Sequence, residues 1–193
     1  MKTKSHIVGF LPVIAILTAA RLFAHDETNA VTHSTPGANI WNQSVESTNW
    51  MQELKQVHGH VGPWNVLGWR MGKAALRELG GAWGQHELDI ICYIPLKTPY
   101  SCLVDGLIVG TGNSMGRLDI RLGEVMTMAD IHVSVQRKDG TGPVLRFKPD
   151  QKYLEQIRHQ PDDQLAALAT ECGQLPERKL FTIERLPAAD TGK

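Results

Sequence analysis

The sequence has no excess of charge of either sign, and this restricts the classes of partner. In the 193-residue chain, Lys and Arg total 20 and Asp and Glu also total 20, so the formal net charge is zero with histidine neutral. Proteins that bind nucleic acid or a membrane surface usually carry a basic patch or stripe. The basic residues here are scattered along the chain, and we therefore expect no nucleic-acid partner.

Cysteine is also scarce, which argues against two common kinds of cysteine site. The chain has three cysteines, Cys92, Cys102 and Cys172, and no CxxC pair, so neither a zinc ribbon nor a thioredoxin-type centre is expected. The HExxH, GxGxxG and Walker patterns are missing as well. An odd number of thiols leaves at least one unpaired within the chain, and a Cys92–Cys102 disulfide stays open as an alternative.

An apolar run stands near the start of the chain. Two lysines precede the stretch Ile7 to Ala20, and small residues follow as far as Ala24. This pattern predicts a secretory signal peptide over residues 1–24, cleaved after Ala24 or, as a second choice, after Ala30. The run is shorter than the about 20 apolar residues that a membrane helix needs. We expect a periplasmic or secreted protein, attached to a membrane only if the segment stays uncleaved.

The composition changes after the apolar run. Residues 25–46 are polar and rich in Thr, Asn and Ser, which predicts a linker without a core of its own. Over the whole chain, hydrophobic residues make up 42% and charged residues 21%, ordinary values for a globular protein. We therefore expect a single folded domain over residues 47–188.

Hydrophobic periodicity in this region alternates between helical and strand patterns. Helices are predicted from Ser47, from Pro63, and over residues 100–110, 149–160 and 161–172. Strands are predicted over residues 87–94, 118–128, 131–137, 144–147 and 180–185. Such a mixture predicts an α+β fold, with helices packed on a mostly antiparallel or mixed sheet. Gly68 and Gly72, one turn apart on the second helix, would let another backbone approach closely.

Two neighbouring histidines are the first candidate metal ligands. His58 and His60 flank one glycine just ahead of Pro63. In an extended segment, residues two apart face the same side at roughly 6–7 Å, and two imidazoles so placed can bind one transition metal. Two polar residues in a turn are the alternative interpretation. The other isolated histidines are predicted to be surface or hydrogen-bonded core residues: His86, His132 and His159.

Cys102 and Asp105 are the next candidates. Cys102 is predicted at the start of a helix capped by Ser101, where the helix dipole would favour the thiolate as a ligand. Asp105 follows on the same helical face and could add an oxygen ligand or orient a histidine. A small buried hydrophobe at Cys102 and an ordinary first-turn carboxylate are the alternatives. A divalent transition metal, with zinc as the default, would suit this set of donors.

The segment Gly112–Gly116 matches the G-x-S-x-G pattern of a nucleophile elbow, which would make Ser114 a nucleophile. That motif requires a strand, a tight turn and then a helix. Here the following residues have a strand pattern, so the match is interpreted as coincidental. A serine hydrolase remains the alternative function, together with a module that binds a small molecule without metal.

Two blocks of sequence resemble the FmdE-like family, which is a component of formylmethanofuran dehydrogenase. Its members usually read F-H-G-H-x-C-P-G followed by L-G-x-R-M-G, and residues 58–63 read HGHVGP and residues 67–72 read LGWRMG. The second family block is D-S-C-x-x-D-A followed by T-G, and residues 100–106 read YSCLVDG, with Thr111-Gly112 after them. The resemblance covers roughly residues 48–150. It implies an α+β core and a site at His58, His60 and Cys102, with Asp105 behind them.

The departures from the family pattern also carry information. Gly62 and Asn113 stand where the family has cysteines, and the zinc ribbon that follows the core in many members has no counterpart in the sequence. In the family, the catalytic molybdenum or tungsten centre lies in other chains of the enzyme, so the resemblance does not imply dehydrogenase activity. It implies an accessory metal-binding protein, with a small-molecule ligand and either a second copy of the chain or a different partner chain as expected partners.

Overall fold

The computed structural model of the protein describes residues 45–188, so the predicted signal peptide and all but two residues of the linker lie outside the described residues. Within that range, six helices and five strands form an α+β fold, as the sequence predicted. In chain order they are α1 Trp50–His58, α2 Pro63–Leu79, β1 Leu88–Ile94, α3 Cys102–Thr111, β2 Ile120–Glu124, β3 His132–Arg137, β4 Val144–Pro149, α4 Gln151–Ile157, α5 Leu165–Gln174, α6 Glu177–Leu180 and β5 Phe181–Leu186. Short 3-10 turns cover Met128–Asp130 and Asp162–Gln164.

The five strands form one mixed sheet in the order β2-β1-β3-β4-β5. The β1–β2 pair is parallel and contains α3 in its crossover, whereas the other three pairs are antiparallel. One buried row crosses four strands, because Ile120, Ile90, Val135 and Leu145 occupy successive register positions. Burying each such aliphatic side chain contributes about 1.5–3 kcal/mol, so this row anchors the sheet to the helical layer.

Helices α2 and α3 approach each other unusually closely at glycine. A Cβ placed on Gly68 would lie 2.0 Å from the carbonyl oxygen of Leu103, and one on Gly106 would lie 1.9 Å from the carbonyl oxygen of Asn65. A Cβ on Gly72 would meet the backbone of Gly110 at 3.2 Å. The predicted close approach at Gly68 and Gly72 is confirmed. It brings the beginning of α3 beside the beginning of α2.

Several element boundaries differ from the sequence prediction for local reasons. Helix α1 begins at Trp50 because the side chain of Asn49, rather than Ser47, caps it by accepting the Gln52 N–H at 3.2 Å. Strand β2 is shorter than predicted, since Leu118 adopts a left-handed φ of 59° that interrupts extended backbone. Helix α4 begins after Asp150, whose carboxylate accepts the N–H of Tyr153 at 2.9 Å.

A helix that crosses a lipid bilayer must be both long and apolar. Between residues 45 and 188, no helix meets both conditions.

Candidate functional site

His58 and His60 converge, although not through the predicted extended segment. His58 is the last residue of α1, and Gly59 ends that helix in a left-handed conformation with φ 89°. The N–H of Gly59 donates to the carbonyl oxygen of Lys55 at 2.9 Å. The prediction of an extended strand-like pair is therefore wrong. Because the chain reverses at Gly59, the two imidazole rings nevertheless stand with their centroids 4.6 Å apart, tilted by 53°.

Asp105 holds His58 in a defined orientation. Its Oδ2 lies 2.6 Å from Nδ1 of His58, across the contact between the end of α1 and the first turn of α3. An ionised carboxylate can only accept a hydrogen bond, so Nδ1 carries the hydrogen in this pair. The lone pair of the neutral ring is then on Nε2. This is the pairing that carboxylates commonly make with histidines that bind metals.

The backbone around His60 is fixed by Asn65 of α2. The Gly62 N–H donates to Oδ1 of Asn65 at 3.0 Å, and Nδ2 of Asn65 donates to the His60 carbonyl oxygen at 3.1 Å. A Cβ placed on Gly62 would lie 3.4 Å from Nε2 of His60. The cysteine that the family pattern has at this position would therefore stand beside the imidazole, and its absence removes a donor from this point.

Cys102 lies on the same cavity but differs from its prediction in two respects. Ser101 already has helical φ and ψ angles and its side chain makes no capping hydrogen bond, so the predicted cap is wrong. Burial, followed by the negative charge of Asp105, raises the pKa of the Cys102 thiol, and the hydrogen bond from its backbone N–H does not offset them. The predicted preference for thiolate is therefore contradicted in the metal-free protein.

The disulfide alternative is not realised. All three cysteines are free thiols, with Cys92 and Cys172 buried and Cys102 partly exposed. Cys92 faces the core from β1, and burial raises the pKa of its thiol well above the usual range. Burial likewise raises the pKa of Cys172 to about 11. Cys102 is thus the one cysteine in a position to meet a ligand.

One cavity of about 500 Å³ collects the predicted residues. His58, His60 and Cys102 all line it, together with the start of α2 and the Thr98-Pro99 turn. Within residues 45–188, no three His, Cys, Asp or Glu side chains stand close enough together to hold a metal ion as they lie. The donors therefore share a cavity without forming a closed ligand set.

The opposite wall of this cavity contains a histidine whose role the sequence analysis missed. His159 follows α4 and lines the cavity with Arg158 and Asp162. Its sequence context indicated only an isolated surface or hydrogen-bonded core histidine. Nothing in its local spacing indicates a site, because it lies about a hundred positions from His58 and reaches the cavity through the packing of α4 against α2.

Ser114 lacks the surroundings of a nucleophile elbow. The G-x-S-x-G segment follows helix α3 and begins at its left-handed terminal residue, Gly112, rather than following a strand. The hydroxyl oxygen of Ser114 accepts the Arg117 N–H at 3.2 Å. No histidine between residues 45 and 188 forms a hydrogen bond with Ser114; His86 instead pairs with Asp119 at 2.8 Å.

Comparison with protein families identifies the chain over most of these elements. The model of the family described as FmdE, Molybdenum formylmethanofuran dehydrogenase operon, matches residues 57–182. The chain belongs to the FmdE family. The match runs from the end of α1 into β5 and includes the histidine pair, Cys102 and the α2–α3 contact. A comparison with curated proteins gave no match.

Proposed function

We propose that this FmdE-family protein is an exported accessory protein that binds a divalent transition metal, with zinc as the expected ion. His58, His60 and Cys102 are the proposed ligands, and Asp105 orients His58. The protein is not proposed to be a dehydrogenase itself. The observation that carries the proposal is the 2.6 Å hydrogen bond between Asp105 and Nδ1 of His58, on the cavity that all three proposed ligands line.

The donor chemistry supports zinc over the hard cations. Two imidazole nitrogens and one sulfur are typical ligands of Zn²⁺, whereas Mg²⁺ and Ca²⁺ prefer oxygen. Three protein ligands leave the fourth tetrahedral position open for water or a small ligand. The volume of the cavity, about 500 Å³, leaves room for such a ligand beside the ion.

Binding would require changes at the ligands themselves. Since no three donors between residues 45 and 188 are yet close enough, the side chains of Cys102 and His60 would have to rotate toward Nε2 of His58. The thiol of Cys102 must also lose its proton, because only the thiolate is a ligand. Asp105 contributes by holding the ring of His58, and Asn65 by holding the backbone at His60.

Metal analysis of the purified full chain tests the proposal. The wild-type protein is expected to retain near-stoichiometric metal after dialysis, and a His58→Ala, His60→Ala double variant is expected to lose it. His132→Ala is the matched control, because His132 stacks on Tyr93 outside the cavity. Equal metal content in the wild-type protein and the double variant would reject ligation by these histidines.

The same experiment decides about the alternative of a metal-free ligand module. The cavity falls within the roughly 300–1,000 Å³ of small-molecule sites, which is the observation that favours this alternative. If a folded wild-type protein takes up no zinc on reconstitution, the cavity would be assigned to a small organic ligand. His58 and His60 would then shape the cavity without binding metal.

Export is tested separately, on the residues outside the described range. Expression of the full chain in a bacterial host should deliver it to the periplasm, with a mature N-terminus at His25 or, for the second cleavage site, at Val31. The intact mass of the recovered protein gives the N-terminus. A cytoplasmic protein that retains residues 1–24 would contradict this part of the proposal and leave the metal site untouched.

A further inference from the structure

A second cavity, of about 210 Å³, lies between α1 and α3 and shares no lining residue with the histidine cavity. Its apolar walls are formed by Trp50 and Val57 of α1, Ile108 and Val109 of α3, and Trp83. Neither the family match nor the proposed metal site gives this cavity a role. Its volume is below the roughly 300–1,000 Å³ of typical small-molecule sites, so an occupant must be small.

The two indole rings in this cavity are held in place. Trp50 stacks on Trp69 of α2, with ring centroids 4.0 Å apart and planes within 13°. Trp83 donates from Nε1 to the carbonyl oxygen of Val109 at 2.9 Å. Because both rings are fixed by neighbours, presenting them to a ligand costs little conformational entropy.

The charge of the lining is negative. Glu46 and Glu53 line the cavity, and it has no lysine, arginine or histidine among its lining residues. Glu46 pairs with Lys73 at 2.7 Å, whereas Glu53 forms no ion pair with any residue of the range 45–188. Glu53 is partly buried and lies one helical turn after Trp50, on the same face of α1. An indole face and a free carboxylate thus stand side by side.

Asn113 adds an unused hydrogen-bond acceptor. The residue is only 2% exposed, yet it lines the cavity. Its Nδ2 donates to the Leu88 carbonyl oxygen at 2.9 Å, which directs the amide. Its backbone N–H donates to Oγ1 of Thr111 at 3.1 Å. Oδ1 receives no hydrogen bond from residues 45–188, so a buried acceptor is left for a donor that enters the cavity.

We propose that this cavity binds a small alkylammonium cation. Cations bind the faces of indole rings, most strongly where water is displaced. Trp50 and Trp83 would contact the alkyl groups, Glu53 would supply the opposite charge, and Oδ1 of Asn113 would accept an ammonium N–H. The assignment is independent of the proposed metal site, since the two cavities are lined by different residues.

Calorimetric titration of the full chain with trimethylammonium tests this assignment, with tert-butanol as a neutral compound of similar size. We expect saturable single-site binding of trimethylammonium and roughly tenfold weaker binding of tert-butanol. Equal affinities for the two compounds, or no saturable binding of trimethylammonium, would overturn the assignment.

Variants then identify the cavity. Glu53→Gln should weaken trimethylammonium roughly tenfold and leave tert-butanol unchanged, whereas Glu155→Gln, on the exposed face of α4, should change neither. The His58→Ala, His60→Ala variant should bind trimethylammonium like the wild-type protein, which separates this cavity from the proposed metal site. An unchanged affinity in a folded Glu53→Gln protein, verified by its melting temperature, counts against the proposal.

Discussion

Asp105 and His58 are 47 positions apart in the chain, and their side chains meet at 2.6 Å. The contact joins the last residue of α1 to the first turn of α3. It depends on the close packing of α2 and α3, in which a Cβ on Gly106 would lie 1.9 Å from the Asn65 carbonyl oxygen. The orientation of one candidate ligand is thus determined by a helix contact that contains no ligand.

The Asp105–His58 pair predicts a specific effect on metal affinity. Asp105→Asn should weaken zinc binding by about 10–100-fold, because an amide no longer supplies the negative partner that orients the ring and strengthens its basicity. Competition with a chromophoric chelator measures this change. Asp130→Asn is the control, since Asp130 is bonded to Thr127 away from the cavity. A variant with wild-type affinity would show that Asp105 has no such role.

Restoring the missing family cysteine should strengthen the site. Gly62 has extended backbone angles that any residue can adopt, and its Cβ position is 3.4 Å from Nε2 of His60. Gly62→Cys should therefore raise zinc affinity by at least about tenfold, by adding a thiolate to the donors. Gly62→Ser is the control for added volume. If the cysteine and serine variants bind zinc equally, the sulfur does not reach the ion.

The α2–α3 contact predicts a large loss of stability on adding one methyl group. In Gly106→Ala, the new Cβ would meet the Asn65 carbonyl oxygen at 1.9 Å and the Trp69 nitrogen at 2.6 Å, so the two helices must separate. We expect a loss of about 3 kcal/mol or more in the free energy of unfolding, measured in urea. Gly116→Ala, which has no atom within 4 Å of its Cβ, should change stability by less than about 0.5 kcal/mol. Similar losses in both variants would contradict the packing argument.

Asp119 predicts a pH dependence of stability. Its side chain is 1% exposed; burial raises its pKa, but the hydrogen bonds from Lys138 and His86 outweigh that effect and lower the pKa overall. A carboxylate whose folded-state pKa lies below its unfolded value stabilises the folded state above the unfolded pKa. That contribution is lost as the pH falls through the folded pKa.

The matching experiment compares urea unfolding of wild-type protein and Asp119→Asn at several pH values. At pH 7 the variant should be less stable by about 1–3 kcal/mol. The difference should shrink as the pH falls below about 4, where the unfolded carboxylate is protonated and the folded one begins to follow. Asp163→Asn, at an exposed position, should show no comparable difference. A gap that stays constant down to acid pH would contradict the assigned ionisation.

Much of the fold was accessible from local pattern. The alternation in β1 predicted its buried residues, and the apolar spacing after Pro63 predicted α2 with Gly80 at its end. These features depend on residues a few positions apart, and helix and strand periodicities are properties of that range. Where a single residue changed the local backbone, as Leu118 did at β2, the predicted boundary was wrong.

The candidate site was only partly accessible in this way. His58, His60 and Cys102 were chosen by residue type and by resemblance, and they line one cavity. The direction of the Cys102 pKa was predicted wrongly, because the helix start was considered without burial and without Asp105. His159 was missed, since the cavity wall that contains it is brought in by α4.

By itself, the amino-acid sequence determined the α+β class, the family motifs and the identity of the candidate donors, because these depend on residue type and short-range periodicity. The tertiary structure alone decided that Asp105 orients His58, that Cys102 remains a thiol, and that Trp50, Glu53 and Asn113 surround a second cavity. The reason is physical: burial and charge act through distances in space, and those distances are set by how α1, α2 and α3 pack.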